Sequence, residues 1–99
     1  MKTTTKKTPY VIVRSSGGVY FGALESRKGK ECTLTHARHV RYWDSKGLLS
    51  LVMTAADLAT KGCGTGSQLT APVPSVTLTE TYSIHDCSPA GAAALKAHP

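Results

Sequence analysis

Apolar positions along this chain fall into short runs, not long helical stripes. Tyr10-Val-Ile-Val-Arg14 is β-branched and aromatic, which predicts a strand. Ser15-Ser-Gly-Gly18 is a turn of the kind that joins two antiparallel strands. Val19-Tyr-Phe-Gly-Ala-Leu24 reads as the second strand, and Gly22 within it predicts a bulge or a close backbone approach. Ser26-Arg-Lys-Gly29 is a polar, cationic turn, after which a third strand starts near Lys30 and extends toward Trp43. Three strands with short turns make a meander.

Alternation within the third strand assigns faces. Cys32, Leu34, Val40 and Tyr42 share one parity, and Thr33, Thr35, His39, Arg41 and Trp43 share the other. His36 and Arg38 interrupt the apolar parity, which predicts a bend or bulge near Ala37. On this reading Leu34, Val40 and Tyr42 hold the core, while His39, Arg41 and Trp43 point elsewhere. Arg38 falls at the bend, where parity assigns no direction.

The second half is more varied. Ser45–Gly47 breaks the strand pattern, and Leu48-Leu-Ser-Leu-Val-Met53 fits helix or strand equally. Thr54 with Asp57 resembles a capping box, the alanines favour helix, and Lys61-Gly62 suits a C-terminus, so a short helix is predicted here. Cys63 to Pro74 contains Gly64, Gly66, Pro72 and Pro74 without periodicity, and reads as a structureless loop for binding or subunit contact. Ser75 to His85 alternates as one long strand, with Val76, Leu78, Tyr82 and Ile84 inward and the threonines outward. Glu80 sits on the inward parity, so either the strand bends or the carboxylate is used. Ser88-Pro89 signals a helix start for Ala90–Ala97. The expected architecture is an α+β domain over residues 9–99. It is a small antiparallel β-meander or partly open barrel with one short central helix and a C-terminal helix. Met1–Thr8 is expected to be a mobile basic arm ahead of it.

Size and charge narrow the picture. A chain of 99 residues holds one small core. A domain this small is close to the margin of stability alone, so self-association into a homo-oligomer is expected. The formal charge is +6. Residues 1–46 carry ten basic side chains against Glu25, Glu31 and Asp44, whereas the remainder carries Lys61 and Lys96 against Asp57, Glu80 and Asp86. Such asymmetry attracts anions: nucleic acid, nucleotides or an acidic partner. Met1–Thr8 has no apolar stretch behind it that would make a secretory signal, and no apolar run approaches the ~20 residues needed to span a bilayer. A cytosolic chain with reduced thiols and no membrane partner is therefore expected.

The best binding candidate is the cationic, aromatic end of the third strand, Arg38, His39, Arg41, Tyr42 and Trp43. Arginine forks match phosphate oxygens bidentately, and Tyr or Trp offers a flat face for a base. The plainer alternative makes Tyr42 and Trp43 core residues and the arginines snorkelling edge residues. Cys32-x3-His36-x2-His39 matches no zinc spacing, and the three cysteines form no disulfide framework. No spacing selects a Cys–His catalytic pair. Gly62-Cys-Gly-Thr-Gly66 follows a helix and lacks the strand–loop–helix setting of a phosphate loop. Neither catalytic residues, a metal nor a cofactor is expected.

Several pieces also carry a resemblance: Tyr10-Val-Ile-Val-Arg14, Gly22-Ala-Leu-Glu-Ser-Arg-Lys-Gly-Lys-Glu31, Leu34 with Ala37-Arg38, Tyr42-Trp-Asp44, Asp57-Leu-Ala59 with Gly62, and Val76-Thr-Leu-Thr-Glu80. Together they resemble a family of small tailed-phage proteins known mainly as a domain of unknown function. The resemblance implies a phage origin and the cytoplasm of an infected bacterial host, and brings no established catalytic residues. Small basic phage proteins without a catalytic signature include immune sponges, oligomers that sequester cyclic or ADP-ribose-derived nucleotide messengers. The expectation is a non-enzymatic oligomer that binds an anionic nucleotide. In it Arg38 and Arg41 contact phosphate, Tyr42 or Trp43 stacks the base, and Arg14 or His39 completes the pocket. The rivals are a nucleic-acid-binding or virion-associated structural protein and an inhibitor of a host protein.

Overall fold

Tyr10–Ser15 (β1), Gly18–Lys28 (β2) and Glu31–Tyr42 (β3) form an antiparallel meander in the computed structural model, which describes residues 9–49 and 51–99. A short helix follows, Ala55–Lys61 (α1), then strands Gln68–Leu69 (β4), Val73–Leu78 (β5) and Thr81–Asp86 (β6), and a last helix, Pro89–Ala97 (α2). The expected arm at Met1–Thr8 lies outside the described residues.

The return strands give the sheet its shape. β5 pairs with the first half of β3, from Cys32↔Leu78 to Ala37↔Val73, and β4 pairs with its second half, Val40↔Leu69 and Tyr42↔Gln68. β6 pairs instead with β1, from Val11↔Asp86 to Ser15↔Thr81. Only Thr79 and Glu80 separate β5 from β6, so the chain passes from one edge of the meander to the other at that corner. Thr81 N–H donates to Lys30 O and Ser16 N–H to Glu80 O, both at 3.0 Å, which pins the corner to the two hairpin turns. The sheet is therefore curled, as the right-handed twist of strands allows, into a partly open barrel. The α+β expectation holds. The single strand expected over Ser75–His85 is two strands, and Glu80 is exposed at the bend between them. Tyr82, assigned inward, is exposed instead.

Both faces of this sheet are covered. Val11, Val13, Cys32, Leu34, Ala37 and Leu78 fill the inside of the curl, with Tyr20, Leu24, Val76 and Ile84 packed against them. Ile12, Phe21 and Val40 face the other way, onto Val52, Ala55, Leu58, Ala59, Cys63 and Leu95. This explains why Tyr10–Val13 is apolar without alternation, since a strand buried on both faces has no polar side.

A bulge decides which core each β3 residue joins. Phe21 pairs with Arg38 and Ala23 with Thr35, so His36 and Ala37 together oppose Gly22. His36 takes a left-handed φ of 51°. A Cβ on Gly22 would lie 3.0 Å from Thr35 O and 3.1 Å from Ala37 Cα, which is the close approach that its position predicted. The extra residue reverses the parity. Leu34 and Ala37 lie inside the curl and Val40 lies on the helical side. The expectation that Leu34, Val40 and Tyr42 share a core therefore fails: Leu34 and Val40 are in different cores, and Tyr42 is 54% exposed.

The helices follow their caps. Asp57 N–H donates to Thr54 Oγ1 at 3.1 Å and Thr54 N–H to Asp57 Oδ2 at 3.2 Å, completing the capping box of α1. Ser88 caps α2 and also donates from Oγ to Thr60 O at 2.7 Å, tying the two helices together. Two boundaries differ from expectation. β2 continues past Leu24 to Lys28, and the loop over Cys63–Pro74 contains β4 and the start of β5.

Candidate functional site

At the end of β3 the pairing with β4 shifts between Val40 and Tyr42, an irregularity that re-aims the side chains that follow. Trp43 packs against the helical-side core. The irregular segment after it returns alongside and presents Val52 and Met53 just before the cap of α1. Two adjoining depressions result. The first, of about 370 Å³, is lined by Arg41, Tyr42, Trp43, Val52 and Met53. The second, of about 330 Å³, is lined by Arg14, Val19, Trp43, Met53, Thr54 and Ala55. Trp43 and Met53 wall both, so the pair forms one groove, open to solvent. Each half lies at the small end of ligand-site volumes.

Four of the six residues expected to bind meet here: Arg14, Arg41, Tyr42 and Trp43. Arg38 and His39 do not. Arg38 is buried, and its Nε donates to Thr70 O at 2.7 Å. Its Nη1 donates to Leu95 O and His98 O, both at 2.7 Å, and its Nη2 to Pro99 O at 3.5 Å. The guanidinium thus closes the C-terminal end of α2, where backbone carbonyls lack helical partners and favour a cation. The assignment of Arg38 to a phosphate is corrected accordingly. His39 stacks on Tyr20 with ring centroids 4.6 Å apart, and its backbone pairs with Thr70. Sequence reasoning missed Val19, Val52, Met53, Thr54 and Ala55. None of them carries charge or aromatic character, and for the last four the one available signal was an apolar run ending at a helix cap.

The groove rests on a clasp. Asp44 N–H donates to Ser67 Oγ at 2.9 Å, Lys46 N–H to Asp44 Oδ1 at 3.2 Å, and Gly64 N–H to Asp44 O at 2.7 Å. A Cβ on Gly64 would collide with Lys46 N and the Asp44 carboxylate, and one on Gly66 with the same carboxylate. The glycine-rich stretch Gly62–Gly66 therefore wraps the residue next to Trp43. Nearby, Val52 N–H donates to Ser45 Oγ at 2.6 Å, Met53 N–H to Asp57 Oδ2 at 3.1 Å, and Lys61 Nζ to Leu51 O at 3.3 Å. The segment carrying Val52 and Met53 is held in place by its backbone.

Electrostatically the groove is one-signed. Among the described residues the ion pair is Lys61–Asp57 at 3.7 Å, and neither groove arginine has a carboxylate within that reach. No acidic residue lines either depression. The backbone N–H groups of Met53 and Thr54 hold the Asp57 carboxyl below its usual range, with Lys61 adding a smaller effect. Burial pushes the Cys63 thiol up, and burial followed by the Asp86 charge pushes Cys87 up to about 12. Neither thiol is therefore an activated nucleophile. Among the described residues no three His, Cys, Asp or Glu side chains are grouped to hold a metal ion. The arrangement suits recognition of a flat anion, with two guanidinium forks beside an indole and a phenol ring.

Compared with known proteins, the chain matches across residues 8–95 the family described as a domain of unknown function, DUF6948. No curated protein and no solved structure matches it. Among the described residues no helix is long and apolar enough to cross a membrane.

Proposed function

We propose a binding function, drawn from its groove, for this chain, which belongs to the family of unknown function DUF6948. It is a non-enzymatic binder of an anionic nucleotide. Arg14 and Arg41 contact phosphate, Trp43 or Tyr42 stacks on the base, and Val52 and Met53 supply apolar wall. The observation that carries this reading is convergence. Arg14 comes from β1, Arg41 and Tyr42 from β3 and Trp43 from just beyond it, and they line one acid-free groove. For a protein of phage origin, the matching role is sequestration of a cyclic-nucleotide or ADP-ribose-type defence messenger inside the infected cell. Sequestration needs affinity and no turnover.

Isothermal titration against cyclic dinucleotides, cyclic mononucleotides and ADP-ribose isomers, beside duplex and single-stranded DNA, tests it. Stoichiometric binding of a small nucleotide is expected, and chromatography should return that nucleotide intact. Conversion of the nucleotide would instead make the protein an enzyme. Binding of DNA alone, falling steeply with salt, would replace the reading with a nucleic-acid-binding one. One feature favours that second reading. The β2–β3 hairpin runs beyond β1, whose pairing stops at Ala23, and carries exposed Arg27, Lys28 and Lys30 at its tip. Such a cluster of exposed cations suits contacts to the phosphate backbone of a nucleic acid.

A further inference from the structure

We propose that the anion site continues from the groove onto β6, where Arg14, Ser83 and His85 make a second phosphate subsite. The ligand is then a nucleotide with two phosphoryl groups set apart from each other, one on each side of Trp43. The inference rests on the reading of the groove as a nucleotide site and narrows what that site takes. Its starting point is strand register. Val40, Val19, Arg14 and Ser83 are successive partners in one row across β3, β2, β1 and β6. Val40 and Val19 pack toward the helical side, so the row lies on the face that carries the groove.

Arg14 and Val19 line the second depression, and Ser83 is the next position along the row, just outside that lining. His85, two positions on, pairs with Ile12 and shares the same face. Ser83 Oγ and His85 Nε2 lie 3.0 Å apart, and both residues are half-buried. In its Nε2–H tautomer the imidazole donates to Ser83 Oγ and leaves the hydroxyl proton free to donate to an anion. The pairing of β1 with β6 slips between Arg14 and Ser15, so a bulge falls at this spot and leaves Tyr82 unopposed. Bulges are over-represented beside functional sites, where they re-aim side chains. Asp86, the next carboxylate along β6, pairs with Val11 and so belongs to the other face. Among the described residues Arg14 and His85 have no carboxylate within ion-pair reach.

Spacing then selects the ligand. Arg41 shares the first depression with Tyr42 and Trp43, which suits one base and its phosphate. Arg14 lies in the second, and Trp43 walls both. The row places Arg14 two strands away from Val40, the residue before Arg41, a backbone separation of roughly 10 Å. Adjacent phosphoryl groups, as in a diphosphate, would draw both guanidinium groups to one point above the indole. Separated groups let each fork, and the Ser83 hydroxyl, act from where it stands.

Calorimetry on the full chain tests the proposal with three adenine probes. Cyclic di-AMP has two separated phosphates, ADP has two adjacent ones, and cyclic AMP has one. Cyclic di-AMP should bind about tenfold more tightly than either of the others, the gain expected of one further charged hydrogen bond. Ser83→Ala should remove about tenfold of that affinity and leave cyclic AMP binding and the urea midpoint unchanged. His85→Ala should act in the same way. His85→Gln, whose side-chain amide can donate to Ser83 Oγ as Nε2 does, should restore most of the loss. Cyclic AMP or ADP binding as tightly as cyclic di-AMP would overturn the proposal and leave the groove reading intact. So would a Ser83→Ala variant that weakens all three probes alike, or none of them. Failure of every probe to bind would overturn the groove reading itself, and this inference with it.

Discussion

Arg38 and Arg41 lie three positions apart on β3 and serve opposite ends. Arg38 points under α2, where the carbonyls of Thr70, Leu95 and His98 take its protons at 2.7 Å each. Arg41 lies at the irregularity near the strand end, in a groove that no element among the described residues covers. The residue type and the strand are the same, and what packs above each side chain differs. Under a helix terminus a cation becomes part of the frame. Without a cover, and without a carboxylate in reach, it stays available to a ligand.

The sharpest break of this comparison is a matched pair of substitutions. Arg38→Met takes the donor from the buried Leu95 carbonyl and the half-buried Thr70 and His98 carbonyls and should cost about 2–3 kcal/mol in urea denaturation, judging by what removing a charged hydrogen-bond donor costs. Arg41→Met should change stability by less than about 0.5 kcal/mol, as exposed substitutions do, yet weaken nucleotide binding at least tenfold in calorimetry. Equal effects of the two on stability would end the distinction.

Next in size is the clasp beneath the uncovered end. Gly64→Ala drives a methyl into the backbone of Lys46 beside the Asp44 carboxylate and should destabilise by about 1–3 kcal/mol, the usual cost of overpacking. Because Asp44 adjoins Trp43, the tryptophan emission should shift as well. An unshifted spectrum in a destabilised variant would detach the clasp from the groove. His36→Gly should raise stability by about 1 kcal/mol or less, because glycine relieves the left-handed φ of 51°. A loss of stability there would mean that the imidazole does work that its exposed position hides.

The smallest effects come with pH, and they separate the two regions again. Cys87, beside the helical-side core, has its pKa raised from 9.0 to about 12 by burial. Below pH 9 the thiol is neutral in both states and its contribution is complete. Between pH 9 and about 12 the unfolded chain ionises first, so stability falls. Cys87→Ala should flatten that alkaline limb of a denaturation series. Asp57, half-buried beside the groove, has its pKa lowered, so its contribution is present above its ordinary 3.8 and is lost as pH falls through the lower folded value. Asp57→Asn should flatten the acid limb.

Local chemistry made much of the fold legible. The Thr54–Asp57 capping box, the Ser88-Pro89 start, the turn at Ser15–Gly18 and the bend near Ala37 each follow from a few neighbouring residues, and all are present. What stayed hidden was non-local. Parity could announce the bulge at His36–Ala37, but not that Val40 would then join a different core from Leu34, because that depends on helices far along the chain. Likewise the alternation over Ser75–His85 persists across a corner, since each half satisfies it against a different partner strand.

The candidate site divides in the same way. By itself the sequence determined which residue types were available: an arginine in the first strand, and arginines and aromatics at the end of the third, in a chain with excess positive charge. Only the tertiary structure decided their use. It buried Arg38 against backbone oxygens, stacked His39 on Tyr20, and brought Val52 and Met53 beside Trp43 to wall a groove. The physical reason is that a side chain's chemistry is local, whereas its exposure and partners are set by segments that only folding brings within reach.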